Sequence, residues 1–233
     1  MDVDELRERY EAFGDETVYA EAVRRYEDAL AARPTDVRLL ADYGFLQECH
    51  GRRAIRAAVD RYEQAIAVDP RYDKPHWQLI GALAALGDAD NAIDRYRRMV
   101  ADVPGEVRGY RFLACAHRYA GDYERAGQVI RQGLDLVPDD PSLVEQHGDV
   151  YAATGLPDDA LTCWQRAFEL APDDYGISMR YSAAALLERH GRLAEAAEEW
   201  RFIVDWCERR GYHLDADWPK RELQRLTAQA SGA

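Results

Sequence analysis

The stretch RGYRFLACAHRY, residues 108–119, sets Arg108, Arg111 and Arg118 beside Tyr119 along one side of a helix. A guanidinium donates two parallel, charge-assisted hydrogen bonds to a carboxylate, so three of them next to an aromatic ring suit a carboxylate or an acidic peptide. Further along, Glu145 and Asp149 stand four residues apart on one helical face. They carry the charge needed to neutralise those arginines from a neighbouring helix. Two readings stay open at this point: internal ion pairing, or an acidic or C-terminal peptide site centred on the arginines.

Other chemistry has little support in the sequence. The histidines at 50, 76, 117, 147, 190 and 213 are dispersed; His50 and His190 precede glycines, and His117 and His147 fall at packing positions. There is no GxSxG, P-loop, HExxH or GxGxxG context, so no catalytic residue is assigned and an enzyme is not expected. Cysteines at 49, 115, 163 and 207 lie more than 40 residues apart, without zinc-ligand spacing; buried thiols are expected, with no metal and no cofactor. Asp and Thr residues after prolines, Thr35 or Asp36, Asp139 or Asp140, and Asp173 or Asp174, read as helix N-caps, and the acidic doublets as caps rather than metal ligands.

The totals narrow the partner class. The 233 residues are 47% hydrophobic and 31% charged, the composition of a foldable soluble chain. A net charge of −13 speaks against nonspecific binding to nucleic acid or to an anionic membrane, both of which draw on excess positive charge. No apolar run approaches the roughly 20 residues that span a bilayer. The first residues, MDVDELRERYEAF, are acidic and lack an apolar core, so the expected location is cytoplasmic.

What positions the arginines is a repeat. Prolines recur at 34, 70, 104, 138 and 172, at intervals of 36, 34, 34 and 34. Eight residues before each stands a large residue, Tyr26, Tyr62, Tyr96, Ile130 and Trp164, and twelve before each an alanine, Ala22, Ala58, Ala92, Ala126 and Ala160. A sixth copy has Ala196 and Trp200 without the proline. Between prolines the apolar period is helical on both sides of a glycine (Gly51, Gly87, Gly121, Gly155, Gly191), which predicts two antiparallel helices per unit. Small residues in the first helix of a unit, Gly44, Gly81, Ala114, Gly148 and Ala184, predict close approach by the second helix. The second copy holds two extra residues, in HGRRAIRAAV, which predicts a longer turn or helix.

This pattern resembles the tetratricopeptide repeat family, whose 34-residue signature the fifth copy follows with Gly148, Tyr151, Gly155, Ala160, Trp164, Ala167 and Pro172. The resemblance covers roughly residues 1–210 and implies an all-α, right-handed superhelical solenoid of antiparallel helix pairs. Six repeats are expected, at 1–35, 36–71, 72–105, 106–139, 140–174 and 175–210. A capping helix at 211–233 starts with Asp217 as N-cap and carries Leu223 and Leu226 on one face. The resemblance further implies a non-catalytic adaptor whose first helices line a groove for a segment of another protein. Projected on that register, the groove candidates include Arg38 and Phe45 in the second repeat, Arg108, Arg111, Arg118 and Tyr119 in the fourth, and Glu145 and Asp149 in the fifth. Tyr181, Glu188 and Arg189 follow in the sixth. The alternative is a structural subunit that self-associates, as a homo-oligomer, through its convex face or terminal helices.

Overall fold

The computed structural model describes residues 3–171, 176–210 and 217–231, and they form helices without a strand. In chain order these are α1 (Val3–Phe13), α2 (Glu16–Ala32), α3 (Val37–Val68), α4 (Asp73–Ala85), α5 (Ala89–Asp102), α6 (Val107–Tyr119), α7 (Tyr123–Leu136), α8 (Pro141–Ala153), α9 (Pro157–Leu170), α10 (Gly176–Arg189), α11 (Leu193–Arg209) and α12 (Asp217–Ser231). The chain forms two compact units, Met1–Ala89 and Asp90–Ala233.

The punctuation follows the repeat. At Pro34, Pro70, Pro104 and Pro138 a backbone bond closes a four-residue turn with proline second, as in Asp36 N–H to Arg33 O at 3.1 Å and Asp140 N–H to Val137 O at 3.2 Å. Asp36 and Asp140 then cap α3 and α8 through their side chains. Asp173 and Asp174 lie outside the described residues. Inside the repeats, Gly121 and Gly155 take left-handed backbone, with φ of 76° and 82°. The next N–H reaches back to close α6 and α8, Asp122 to His117 O and Leu156 to Tyr151 O, each at 2.9 Å. A further turn of this kind, unmarked in the repeat pattern, occurs at Gly14, where Gly14 N–H bonds Tyr10 O at 2.7 Å.

In the second unit the small-and-large ladder is the core. Ala92, Ala126, Ala160 and Ala196 are buried, and so are the large residues four positions on, Tyr96, Ile130, Trp164 and Trp200. Trp164 shows why the partner position must be small. A Cβ at Gly148 would stand 2.7 Å from two atoms of that indole and 3.1 Å from Ala160 O. Helix α12 covers the last cluster, burying Leu226 with Ala196, Trp200, Ile203 and Cys207. Trp218 stacks on Tyr181 at 5.4 Å and meets Trp200 edge-on at 5.0 Å. Asp217 is the first helical residue of α12, so it stands inside the first turn and not at the cap position expected of it.

The second repeat departs from the expectation of two helices. Helix α3 runs unbroken through Gly51 for 32 residues. The reason lies in the two extra residues. The third to sixth units place the turn glycine five residues before the packing alanine, as in Gly155 and Ala160; here Gly51 and Ala58 are seven apart, close to two full helical turns. The segment after Gly51, RRAIRAA, also holds strong helix formers and no capping residue. Arg53 donates to Tyr10 O at 3.3 Å and Glu11 O at 2.5 Å, and Arg52 to Leu86 O at 3.4 Å, tying the residues just after the glycine to α1 and to the end of α4. The packing role expected for Gly44 is not met: it is exposed, and nothing lies within 4 Å of a Cβ built there.

Candidate functional site

Helices α6, α8 and α10 are the first helices of the fourth, fifth and sixth repeats, and their side chains hold the second unit's main polar cluster. Asp140 anchors it. Its carboxylate caps α8 by accepting Leu143 N–H at 3.0 Å. It also takes Arg111 Nε at 3.0 and 2.8 Å on its two oxygens, with Arg111 Nη2 closing a third bond. Asp140 is 1% exposed, so one buried carboxylate joins a helix terminus to the neighbouring helix. Gln146 adds a bond from Nε2 to Arg111 O at 3.3 Å.

One helical turn past Gln146, Asp149 receives Arg118 Nη1 at 2.8 Å and Trp164 Nε1 at 3.0 Å. Burial nonetheless pushes the Asp149 carboxyl upward, outweighing the favourable Arg118 charge. Burial also drives Glu145 to about 7, with the Asp149 charge adding to it and Arg118 opposing it. Glu145 and Asp149 thus both feel the Arg118 charge, and Asp149 holds the ion pair. Cys115 is buried, and burial raises its thiol to about 11.

Beside this cluster opens a cavity of about 340 Å³, lined by Arg118, Asp149, Ala152, Ala153, Trp164 and Ser182, then Ala185, Leu186 and Arg189. Five of these residues are apolar and three carry charge. Arg118 lies 5.5 Å from the centre of the exposed Tyr119 ring. Arg189 is exposed and makes no ion pair among the described residues.

The structure therefore brings together Arg118, Tyr119, Glu145 and Asp149. Arg111 is near but committed to Asp140. Arg108 lies over the Phe112 ring at 5.2 Å. Arg38 and Phe45 belong to the first unit; Arg38 is exposed, with Asp4 and Asp42 each at 3.7 Å, and Phe45 is half exposed. Sequence reasoning missed the Arg111–Asp140 bond, because Asp140 already had a role as a cap. It also missed the indole donor from Trp164, which reaches from the second helix of the repeat. No group of three or more His, Cys, Asp or Glu able to hold a metal ion occurs among the described residues, and no described helix is long and apolar enough to cross a membrane.

The family profile of the tetratricopeptide repeat matches residues 51–107, 81–141 and 145–200. The chain belongs to the tetratricopeptide repeat family. Human protein O-mannosyl-transferase TMTC1 is 25% identical over 139 residues, which is 58% of this chain and 16% of that protein, so the likeness spans a small part of the transferase. Among solved structures, TTC0263, a thermophilic tetratricopeptide repeat protein of Thermus thermophilus, is similar with a TM-score of 0.57 at 24% identity, covering 75% of this chain and 91% of its own. A tetratricopeptide repeat protein from Parabacteroides merdae covers 99% of this chain and 92% of its own, with a TM-score of 0.50 and 17% identity. Both structural likenesses concern the fold alone. Tetratricopeptide repeats generally mediate protein–protein interaction and are typically non-catalytic.

Proposed function

We propose that this tetratricopeptide repeat chain is a non-catalytic adaptor whose second unit takes a segment of another protein across α6, α8 and α10. The observation that carries the reading is the 340 Å³ cavity, whose lining includes Ala152, Ala153 and Ala185 together with Arg189. Such a lining accepts a small apolar side chain, and Arg189, without an ion pair among the described residues, offers its cation to a carboxylate beside it. An acidic or C-terminal peptide is the partner chemistry that fits. Arg118 contributes by lining the cavity, since its charge is already met by Asp149, and Arg111 stands outside it, held by Asp140. A reducing, cytoplasmic setting goes with this reading, and Cys115 and Cys207 are buried as free thiols.

The test is an anisotropy titration of labelled acidic C-terminal peptides against the wild type, Arg189→Glu and Tyr119→Ala. Both substitutions fall on exposed side chains, so the fold is expected to persist. Binding weakened about tenfold or more by Arg189→Glu supports the site. Equal binding by Arg189→Glu, or no binding by any acidic peptide, sinks it.

A further inference from the structure

The second repeat carries both halves of a helix-to-helix joint and does not close it. In the fifth repeat the joint is complete: Val144 and Gly148 of α8 receive Ala160, Trp164 and Ala167 of α9, and all five are buried. The second repeat has the matching residues. Leu40 and Gly44 stand where Val144 and Gly148 do, and Ala58, Tyr62 and Ala65 stand where Ala160, Trp164 and Ala167 do. In α3 these two sets sit on one straight helix. Gly44 and Tyr62 are 18 residues apart in sequence, roughly 27 Å at the helical rise, so they cannot meet within one copy.

Both faces are open as a result. Leu40 is 50% exposed where Val144 is 9% exposed, and Gly44 has no atom within 4 Å of its Cβ position. On the other half, Ala65 is exposed and Ala58 and Tyr62 are only half-buried. The two extra residues have a second effect. They place Gly44, Gly51, Ala58 and Ala65 at strict intervals of seven, a seam of small side chains down one face of α3. In the fifth repeat the interval from Gly155 to Ala160 is five, and such a seam would not run straight.

We propose that two copies of this chain exchange these halves, the Ala58–Ala65 segment of each α3 docking antiparallel on the Leu40–Gly44 face of the other. A second copy is the occupant because each copy has one receiving face and one inserting face, so a two-fold pair closes both joints and leaves none open. Pairing Gly44 with residues 58 to 62 puts the two-fold axis near residues 51 to 53. There Gly51 has nothing within 4 Å of its Cβ position, which lets two helices cross closely. The bonds from Arg52 and Arg53 to neighbouring helices hold α3 straight at this point and oppose closure within one copy.

Light scattering on the full chain across a concentration series tests the exchange, with three forms compared. The wild type is expected to be a dimer, Gly44→Ala to remain one, since Ala114 and Ala184 hold the same place in other repeats, and Gly44→Trp to become monomeric with unchanged helix content. A second assay does not depend on the tryptophan variant folding. Chains with the native cysteines replaced by serine are made as Gly44→Cys and, with a size tag, as Tyr62→Cys, then mixed under mild oxidation. A disulfide joining the two sizes supports the exchange. A monomeric wild type, a dimer that survives Gly44→Trp, or the absence of the mixed disulfide in a dimeric sample overturns it.

Discussion

The fifth repeat and the second are written with the same residue classes and end in opposite states. In the fifth, a five-residue step after Gly155 forces a turn, the second helix folds back, and Gly148 is filled by Trp164. In the second, a seven-residue step lets the helix continue through Gly51, and Gly44 faces open space. Residue identity at the small positions therefore does not decide burial in this chain. The number of residues between them does, because it sets whether the helical phase is kept or broken.

The largest expected effect separates the two caps. Asp140 is buried and shared between Leu143 N–H and Arg111, whereas Asp36 caps α3 at the surface with Arg33 at 3.0 Å. Asp140→Ala removes a cap and strands a half-buried guanidinium, an expected loss of about 3 kcal/mol. Asp36→Ala should lose about 1 kcal/mol, for the cap alone. Urea unfolding of both variants checks the ratio, and equal losses would remove the distinction between the two regions. Next comes a change of sign at the glycines. Gly148→Ala must displace the Trp164 ring and should cost about 1–3 kcal/mol, while Gly44→Ala, measured at dilutions where the chain is a single copy, should gain about 0.5–1 kcal/mol from helix propensity. Thermal melts at that dilution with both substitutions losing stability would show that Gly44 is packed within one copy.

A pH-dependent effect belongs to Glu145. Its folded-state value of about 7 lies above the ordinary 4.5, so the stability it lends is full below about 4.5 and is lost as pH rises through 7. Glu145→Gln should therefore melt higher than the wild type at pH 8, by about 1–2 kcal/mol, and show little difference at pH 4.5. A difference independent of pH would detach Glu145 from the Asp149–Arg118 cluster.

Much of this architecture could be read from residue spacing. The Ala and aromatic ladder, the proline turns and the Asp36 and Asp140 caps each follow from local rules that act within a few residues. The Arg118–Asp149 pair was foreseeable too, since it joins equivalent faces of successive first helices. Gly51 misled because a turn glycine and a helical glycine are chemically alike, and only the count to Ala58 tells them apart. The Arg111–Asp140 bond, the charge balance around Glu145 and the uncommitted Arg189 were hidden for a different reason. Each depends on which carboxylate reaches a guanidinium first, a contest settled by side-chain geometry and not by position in the repeat.

The two buried indoles have a kinetic consequence. Trp164 donates to Asp149, 15 residues earlier, and Trp200 donates to Glu188, 12 residues earlier, at 3.0 and 2.8 Å. Each anchors the second helix of a repeat to the first helix of that same repeat, so the search that brings the partners together spans a short loop of chain. Contacts this local belong to rapidly folding topologies, and each hairpin can assemble before its neighbours have formed. The second unit should then acquire structure hairpin by hairpin, and stopped-flow tryptophan fluorescence would record a folding rate that does not depend on how concentrated the protein is.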